Sequence, residues 1–434
     1  MKRTIAAIFV SVIILLAAAC NSSTSGGSPD AQANDKQADT VTLKFFHRWP
    51  SEPRNSYFNS IVKEFENQNP GVKIEMEAVL NDSYKEKIKV LVSSNNIPDV
   101  FTSWSDTFAE NLVSSGKVKD VSSMYSSDPN WANDIIPSQI KPFTFNGKTY
   151  GVPFTMDGKA FFYNKKAFDK AGLQKPKTWE ELIAALDKLK SSGYDTPLIE
   201  GLQNTWTISH YLGTMTQRMI SPDVIAKDYQ AQTGQFTDPG YVKVLEYWDK
   251  LVSYMGPNAT SIDHEAARNL FIAEKVPVMY MQFAELGYLT KNADLQFDFF
   301  NFPAFAEGKG NPAALTGAPE GFMISNVGKH QELAEKFVKF IVSPDNAAKF
   351  QKDAGAMTVV KGSATADNSP KGTLQAIDVI LNATETSPWQ DNALNITVAD
   401  AFMKGGQSMA AKSKTPQQVM DDVQKAAKAL HNAK

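Results

Sequence analysis

Apolar and polar positions alternate from Val41 to Phe46, the period of a strand with one buried face, and His47, Arg48 and Trp49 follow as polar and aromatic tips. Between Ser56 and Asn67 the period changes, and Phe58, Ile61, Val62 and Phe65 fall on one helical face. The turn Asn69-Pro70-Gly71 breaks that helix. Val72–Met76 then reads as a second strand, Tyr84–Val92 as a second helix, and Val100-Phe101 as the start of a third strand. Strand and helix alternating at these lengths predict a parallel sheet with helices on its faces. In such sheets ligands sit beyond the carboxyl ends of the strands. Those ends carry His47, Arg48 and Trp49, then Asn81 and Asp82, then Trp104 and Asp106.

The stretch Tyr150–Asn164 is a different kind of signal. A turn and Pro153 lead to Asp157 and Lys159 on either side of Gly158; the β-prone Phe161, Phe162 and Tyr163 follow, and Asn164 can cap the segment after it. An acid in a glycine-containing break reads either as chain passing close to another domain or a ligand, or as a surface turn before a buried strand. Two similar breaks occur later. Thr316–Gly321 carries Glu320 ahead of the strand Phe322–Ser325, and Ser387–Asp391 carries Trp389 and Asp391. Between the first stretch and these later breaks, Thr178 and Glu181 form a capping box for a helix whose inner stripe is Leu182, Leu186 and Leu189. Gln203–Met219 is mixed and places Trp206 and His210 at helical spacing, His210 being read as structural. A short helix from Arg268 leads to the strand Lys275–Met281, with Gln282, Phe283 and Glu285 just past its end. Phe297–Phe302 reads as a strand, and Gln331–Ser343, Thr373–Asn382 and Thr415–Leu430 as helices.

Composition narrows the partners. The chain has 434 residues and a formal charge of −3 with no basic block, which argues against nucleic acid and for a neutral small molecule or a protein. Met1-Lys2-Arg3, the apolar run Ile5–Leu16 and Ala17–Cys20 resemble a bacterial lipoprotein signal, with residues 1–20 ending at a lipidated Cys20. Residues 21–40 are almost free of apolar side chains and read as a flexible tether off a membrane. Cys20 is the only cysteine, so the mature body has neither disulfides nor thiolate metal sites. His47, His210, His264, His330 and His431 have no metal-binding spacing, no Gly-flanked serine nucleophile appears, and no cofactor is expected.

Ile97–Val100, Tyr150–Pro153 with Tyr163-Asn164, Thr178–Leu182 and Glu332–Phe337 recur here in a telling order and spacing. In these the chain resembles bacterial extracellular solute-binding proteins of the sugar ABC-transporter type (family 1, maltose-binding-protein-like), over essentially all of Val41 to the last helix. The resemblance implies a periplasmic-binding-protein-like α/β fold with two lobes, a three-crossing hinge and a central ligand cleft. The crossings fall near Phe154–Asp157, Thr316–Glu320 and Asn382–Trp389, the three breaks already found. One lobe would comprise 41–155 with 318–384, and the other 156–317 with 385–434. On that mapping Asp106 and Asp157 accept hydrogen bonds from sugar hydroxyls. Trp206 and Trp389 stack on pyranose faces, with Trp104 one position off a further aromatic, and Trp49 at the end of the first strand is a third stacking candidate. His47, Arg48, Glu52, Asn81, Gln282, Phe283, Glu285, Glu320 and Asp391 complete the expected ligand set. His47–Trp49 departs from the acid and lysine of maltose binders, which counts against maltose itself. The expected function is capture of an oligosaccharide by lobe closure and delivery to a membrane permease, by a lipid-anchored monomer and not an enzyme. A glycosidase using a carboxylate pair and a surface polysaccharide adhesin are the alternatives.

Overall fold

The computed structural model describes residues 40–94 and 96–432. The expected signal, its Cys20 and all but the last residue of the expected tether lie outside the described residues. Nine strands carry the architecture: β1 (Val41–His47), β2 (Val72–Ala78), β3 (Val100–Trp104), β4 (Val152–Thr155), β5 (Lys159–Asn164), β6 (Leu198–Ile199), β7 (Val278–Gln282), β8 (Phe297–Phe300) and β9 (Glu320–Ile324). They form two sheets, in the orders β2-β1-β3-β9-β4 and β8-β5-β7-β6. The expected parallel set is present, since β1 pairs parallel with both β2 and β3. Strand β9 runs antiparallel between β3 and β4, so its first residue, Glu320, lies beside Trp104 and Thr155 at the carboxyl ends of those strands. Antiparallel pairing of β5 with β7 likewise sets Lys159 opposite Gln282.

The period-two rule explains how the sheets bury both faces. Along β5, Phe162 joins one apolar cluster while Phe161 and Tyr163 join another, beneath helices that include Ile396–Ala410 and Pro416–Asn432. In β1, Phe45 and Phe46 diverge in the same way. The cluster that holds Phe58, Phe154 and Phe322 of the first lobe continues without interruption into Phe162, Met281 and Phe283 of the second.

Local signals acted as their chemistry requires. Asn164 accepts the Ala167 amide to cap Lys165–Ala171, and Thr178 accepts from Glu181 N–H at 3.3 Å. The Glu181 carboxylate reaches the Lys177 amide in place of the Thr178 amide that a strict capping box uses. The helix expected over Tyr84–Val92 starts earlier, at Asn81, so Asn81 is its first residue and not part of a strand-end loop. Asp106 departs similarly, opening the helix Asp106–Val113 with a left-handed φ of 58°.

The three crossings lie side by side. Leu315-Thr316 pairs parallel with Thr386-Ser387, and Gly317 donates to the Ser387 carbonyl at 2.9 Å. A Cβ on Gly317 would stand 2.2 Å from the Asp157 carbonyl, so only glycine lets the first two crossings approach this closely. The helix Thr373–Leu381, sequence-assigned to the first lobe, lies against the second sheet, where Gln375 donates to Asp298 at 3.2 Å.

Candidate functional site between the lobes

A cavity of about 400 Å³ opens between the sheets. The end of β1 and the helices after β1 and β2 supply Arg48, Glu52 and Asn81 from one side, with only an edge of Trp49, which is 4% exposed, stacked on Phe58 at 5.2 Å and covered by Arg48, so it offers no free face for a sugar. From the other side come Asp157 at the first crossing, Trp206, Gln282 at the end of β7 and Glu285 just beyond it.

The remaining expected ligand residues lie elsewhere. His47 is fully buried, because it shares the inward face of β1 with Phe45 and packs 4.8 Å from Phe58. Burial holds its imidazole down at about 3, hence neutral. Phe283 is core. Trp104 lies under the cations of Arg48 and Lys85, 4.9 and 4.7 Å from its ring. Asp106 is outside the cavity wall and hydrogen-bonded to Ser105, with burial raising its carboxyl. Glu320 sits behind the wall, gripped by Arg48, whose third nitrogen donates to Asn81 at 2.7 Å. Trp389 is 2% exposed and stacked on His210 at 4.2 Å, wedged between lobes with no free face. Asp391 ties the lobes together. It accepts from Lys85 at 2.6 Å on one side and from Ser209 at 2.7 Å on the other.

Asp157 is the carboxylate at the middle of the wall. One oxygen accepts the Gly158 and Ala284 amides at 2.8 and 3.0 Å, and the other accepts from Gln282 at 2.7 Å. Burial, reinforced by the charge of Glu320, nevertheless pushes its carboxyl up to about 7.

From the second-lobe wall inward runs a buried charged chain. His264 sits between two carboxylates, Nδ1 at 2.7 Å from Glu200 and Nε2 at 2.6 Å from Glu285, and Arg268 holds Glu285 at 3.0 Å. Burial alone would lower the imidazole, but the two acids outweigh it and hold His264 at about 9. Burial would likewise raise Glu285, yet His264 and Arg268 bring it down to about 2. Lys159, fully buried, lies 3.2 Å from His210 and 4.0 Å from Glu200. Burial lowers its ammonium, and lowers His210 far enough to keep that ring neutral, as a structural histidine should be. Trp206 stands in front of this chain with one side open to the cavity. Lys159 lies 5.4 Å from its ring and His264 4.8 Å.

Sequence reasoning missed Arg54, Asp263, His264, Arg268, Tyr288 and Lys291 on the same wall. Most of these sit on helical turns near the cavity, where a strand-end rule has no reach.

The family model of the bacterial extracellular solute-binding proteins matches residues 49–348. The chain belongs to that family. A multiple sugar-binding protein of Streptococcus mutans is 24% identical over 383 residues, covering 83% of each chain. Among solved structures, a chitin oligosaccharide binding protein superposes with a TM-score of 0.82 at 20% identity, over 91% of this chain and all of that one. A sugar transporter protein of Bacillus licheniformis, in complex with stachyose, superposes with a TM-score of 0.75 at 20% identity, over 90% of this chain and all of that one. This extracellular solute-binding protein therefore has two α/β lobes, a three-crossing hinge and a ligand cleft between them. Among the described residues no helix is long and apolar enough to cross a membrane, and no cluster of acids and histidines could hold a metal.

Proposed function

We propose that this protein is the lipid-anchored receptor of an ABC importer, acting as a monomer that closes its lobes over an oligosaccharide and presents it to a membrane permease. The observation that carries this reading is the pairing, on one inter-lobe cavity, of the half-buried indole of Trp206 with the polar groups of Asp157, Gln282, Arg48 and Asn81. A saccharide offers apolar C–H faces and a girdle of hydroxyls, and an aromatic face ringed by hydrogen-bonding groups complements both. The sugar-binding relatives support the ligand class, and the lipoprotein-like start supports the anchor. The expected lobes, 41–155 with 318–384 and 156–317 with 385–434, would then move about the crossings at Asp157, Gly317 and Ser387. A carboxylate pair for glycoside hydrolysis has little support, because Asp106 is not part of the wall that holds Asp157.

The test is a thermal-shift panel of oligosaccharides spanning α- and β-glucans, xylo-, arabino-, galacto- and raffinose-type series. A true ligand at about a hundred times its dissociation constant should add roughly 2.7 kcal/mol of stability. A shift with one series, and that sugar recovered intact, is the expected result. Recovery of shortened sugar would favour an enzyme, and no shift with any series would remove sugars as the ligand class.

A further inference from the structure

Trp206 offers its half-buried indole to the cavity from the second residue of the helix Thr205–Met219. A helix start is a loose base for a platform, because the first amides have no partner within the helix. Asn204, the residue before it, does not cap it through its side chain. Its Oδ1 accepts the His264 amide at 2.9 Å instead, which ties this helix start to that of His264–Ile272. The two stretches also meet at Gly201, where a Cβ would stand 2.1 Å from the Asp263 carbonyl and 2.3 Å from the His264 amide nitrogen.

Ring contacts then set the angle of the indole. His264 packs 4.8 Å from it at 58°, and His210, one turn along the same helix, 5.0 Å from it at 61°. Lys159 lies 5.4 Å from the ring centre. All three are buried, so the part of the indole they leave uncovered is the part that meets the cavity. Neither imidazole is free to turn. His210 is stacked on Trp389 and has Nδ1 3.2 Å from Lys159, while His264 has a carboxylate on each ring nitrogen, Glu200 at 2.7 Å and Glu285 at 2.6 Å. Glu200 is fully buried and accepts the Gly201 amide at 3.0 Å, at the point where the two helix starts meet.

Resting on the sugar-binding reading, we propose that His264 is a positioning residue: clamped between Glu200 and Glu285, it fixes the Trp206 indole at the angle on which a pyranose ring lies, acting through the indole and not through a contact of its own with the sugar. An indole fixed beforehand spares the ordering cost that a free side chain pays on binding, equivalent to severalfold and up to about tenfold in affinity.

The experiment is a double-mutant cycle read by titration calorimetry, with maltotriose, cellotriose, xylotriose and raffinose as titrants. Wild type, His264→Gln, Trp206→Ala and the double variant are compared, each well below its own melting temperature. The sugar that binds wild type should bind His264→Gln about three- to tenfold more weakly. In the Trp206→Ala background the same substitution should cost less than about twofold, because no indole is left to position. Glu200→Gln, off the cavity wall and with the imidazole still in place, should give a smaller loss that also vanishes without Trp206. A second readout needs no ligand. The near-ultraviolet circular dichroism of Trp206, taken as the difference made by Trp206→Phe, should weaken when His264→Gln is also present. Unchanged affinity in both clamp variants, a loss of equal size with and without Trp206, or an unchanged dichroism difference would overturn this inference while leaving the sugar receptor standing. Binding of none of these sugars by wild type, together with a silent thermal-shift panel, would overturn the sugar reading and this inference with it.

Discussion

Replacing His264 with leucine should destabilise the protein by about 3–5 kcal/mol, because removing one partner of a buried ionic group leaves the others uncompensated. In His264→Leu the carboxylates of Glu200 and Glu285 lose the cation between them, and Glu200 keeps only the Gly201 amide at 3.0 Å and Lys159 at 4.0 Å. The pH dependence is the sharper signature. The folded imidazole sits at about 9 against an ordinary 6.5. Its contribution is therefore fully present below pH 6.5 and is lost as pH rises through 9, a change of about 3 kcal/mol at 1.36 kcal/mol per pH unit. The groups facing it, Glu200 and Glu285 directly and Lys159 and Arg268 one step behind, set both the sign and the window. Glu285, lowered from 4.5 to about 2, adds a contribution present above pH 4.5 and lost as pH falls through 2. Denaturant melts of wild type from pH 6 to 10 should fall steadily in stability across 6.5 to 9, and the variant should lack that slope. Equal stability and equal slope in the two proteins would mean that the clamp carries no charge-dependent energy.

Replacing Asp157 with alanine should weaken ligand binding by an order of magnitude or more, since hydrogen bonds to a charged group contribute about 1.5–3 kcal/mol each. Alanine also strips the acceptor from the Gly158 and Ala284 amides. Asp157→Asn is the cleaner variant, because its amide oxygen can still accept both N–H groups while the carboxylate is gone. The carboxyl titrates at about 7, raised by burial and by Glu320. The ionised form is the better acceptor for a sugar hydroxyl, so wild-type affinity should climb from pH 6 to pH 8 and the asparagine variant should bind weakly with a flat profile. Affinity in Asp157→Asn equal to wild type at pH 8, by calorimetry, would take this residue out of the site.

Much of the architecture was legible because period and punctuation are local. The first parallel strands, the caps at Asn164 and Thr178, and the three Gly/Pro breaks needed only neighbours in sequence. The strand-end rule also brought Arg48 and Gln282 to the cavity wall, as the glycine break brought Asp157, but Trp49 packs into the core against Phe58. It could not assign facing. His47 and Arg48 are adjacent, yet alternation along β1 sends one into the core beside Phe58 and the other into the cleft. Trp389 and Asp391 carry the residue types of a sugar site, but which lobe each would meet depends on long-range packing. His264 was the least readable. Its partners, Glu200 and Glu285, lie 64 and 21 residues away, and nothing in the local pattern marks a histidine that will sit between two acids.

The apolar cluster that runs from Phe58, Phe154 and Phe322 into Phe162 and Phe283 bears on how the molecule moves and melts. Sliding one sheet past the other would tear it open, whereas rotation about an axis close to it would leave the rings in contact while the cleft mouth travels furthest. The lobes are thus geared at their base, and heat should undo them as one cooperative unit, giving a single calorimetric peak despite two separate sheets.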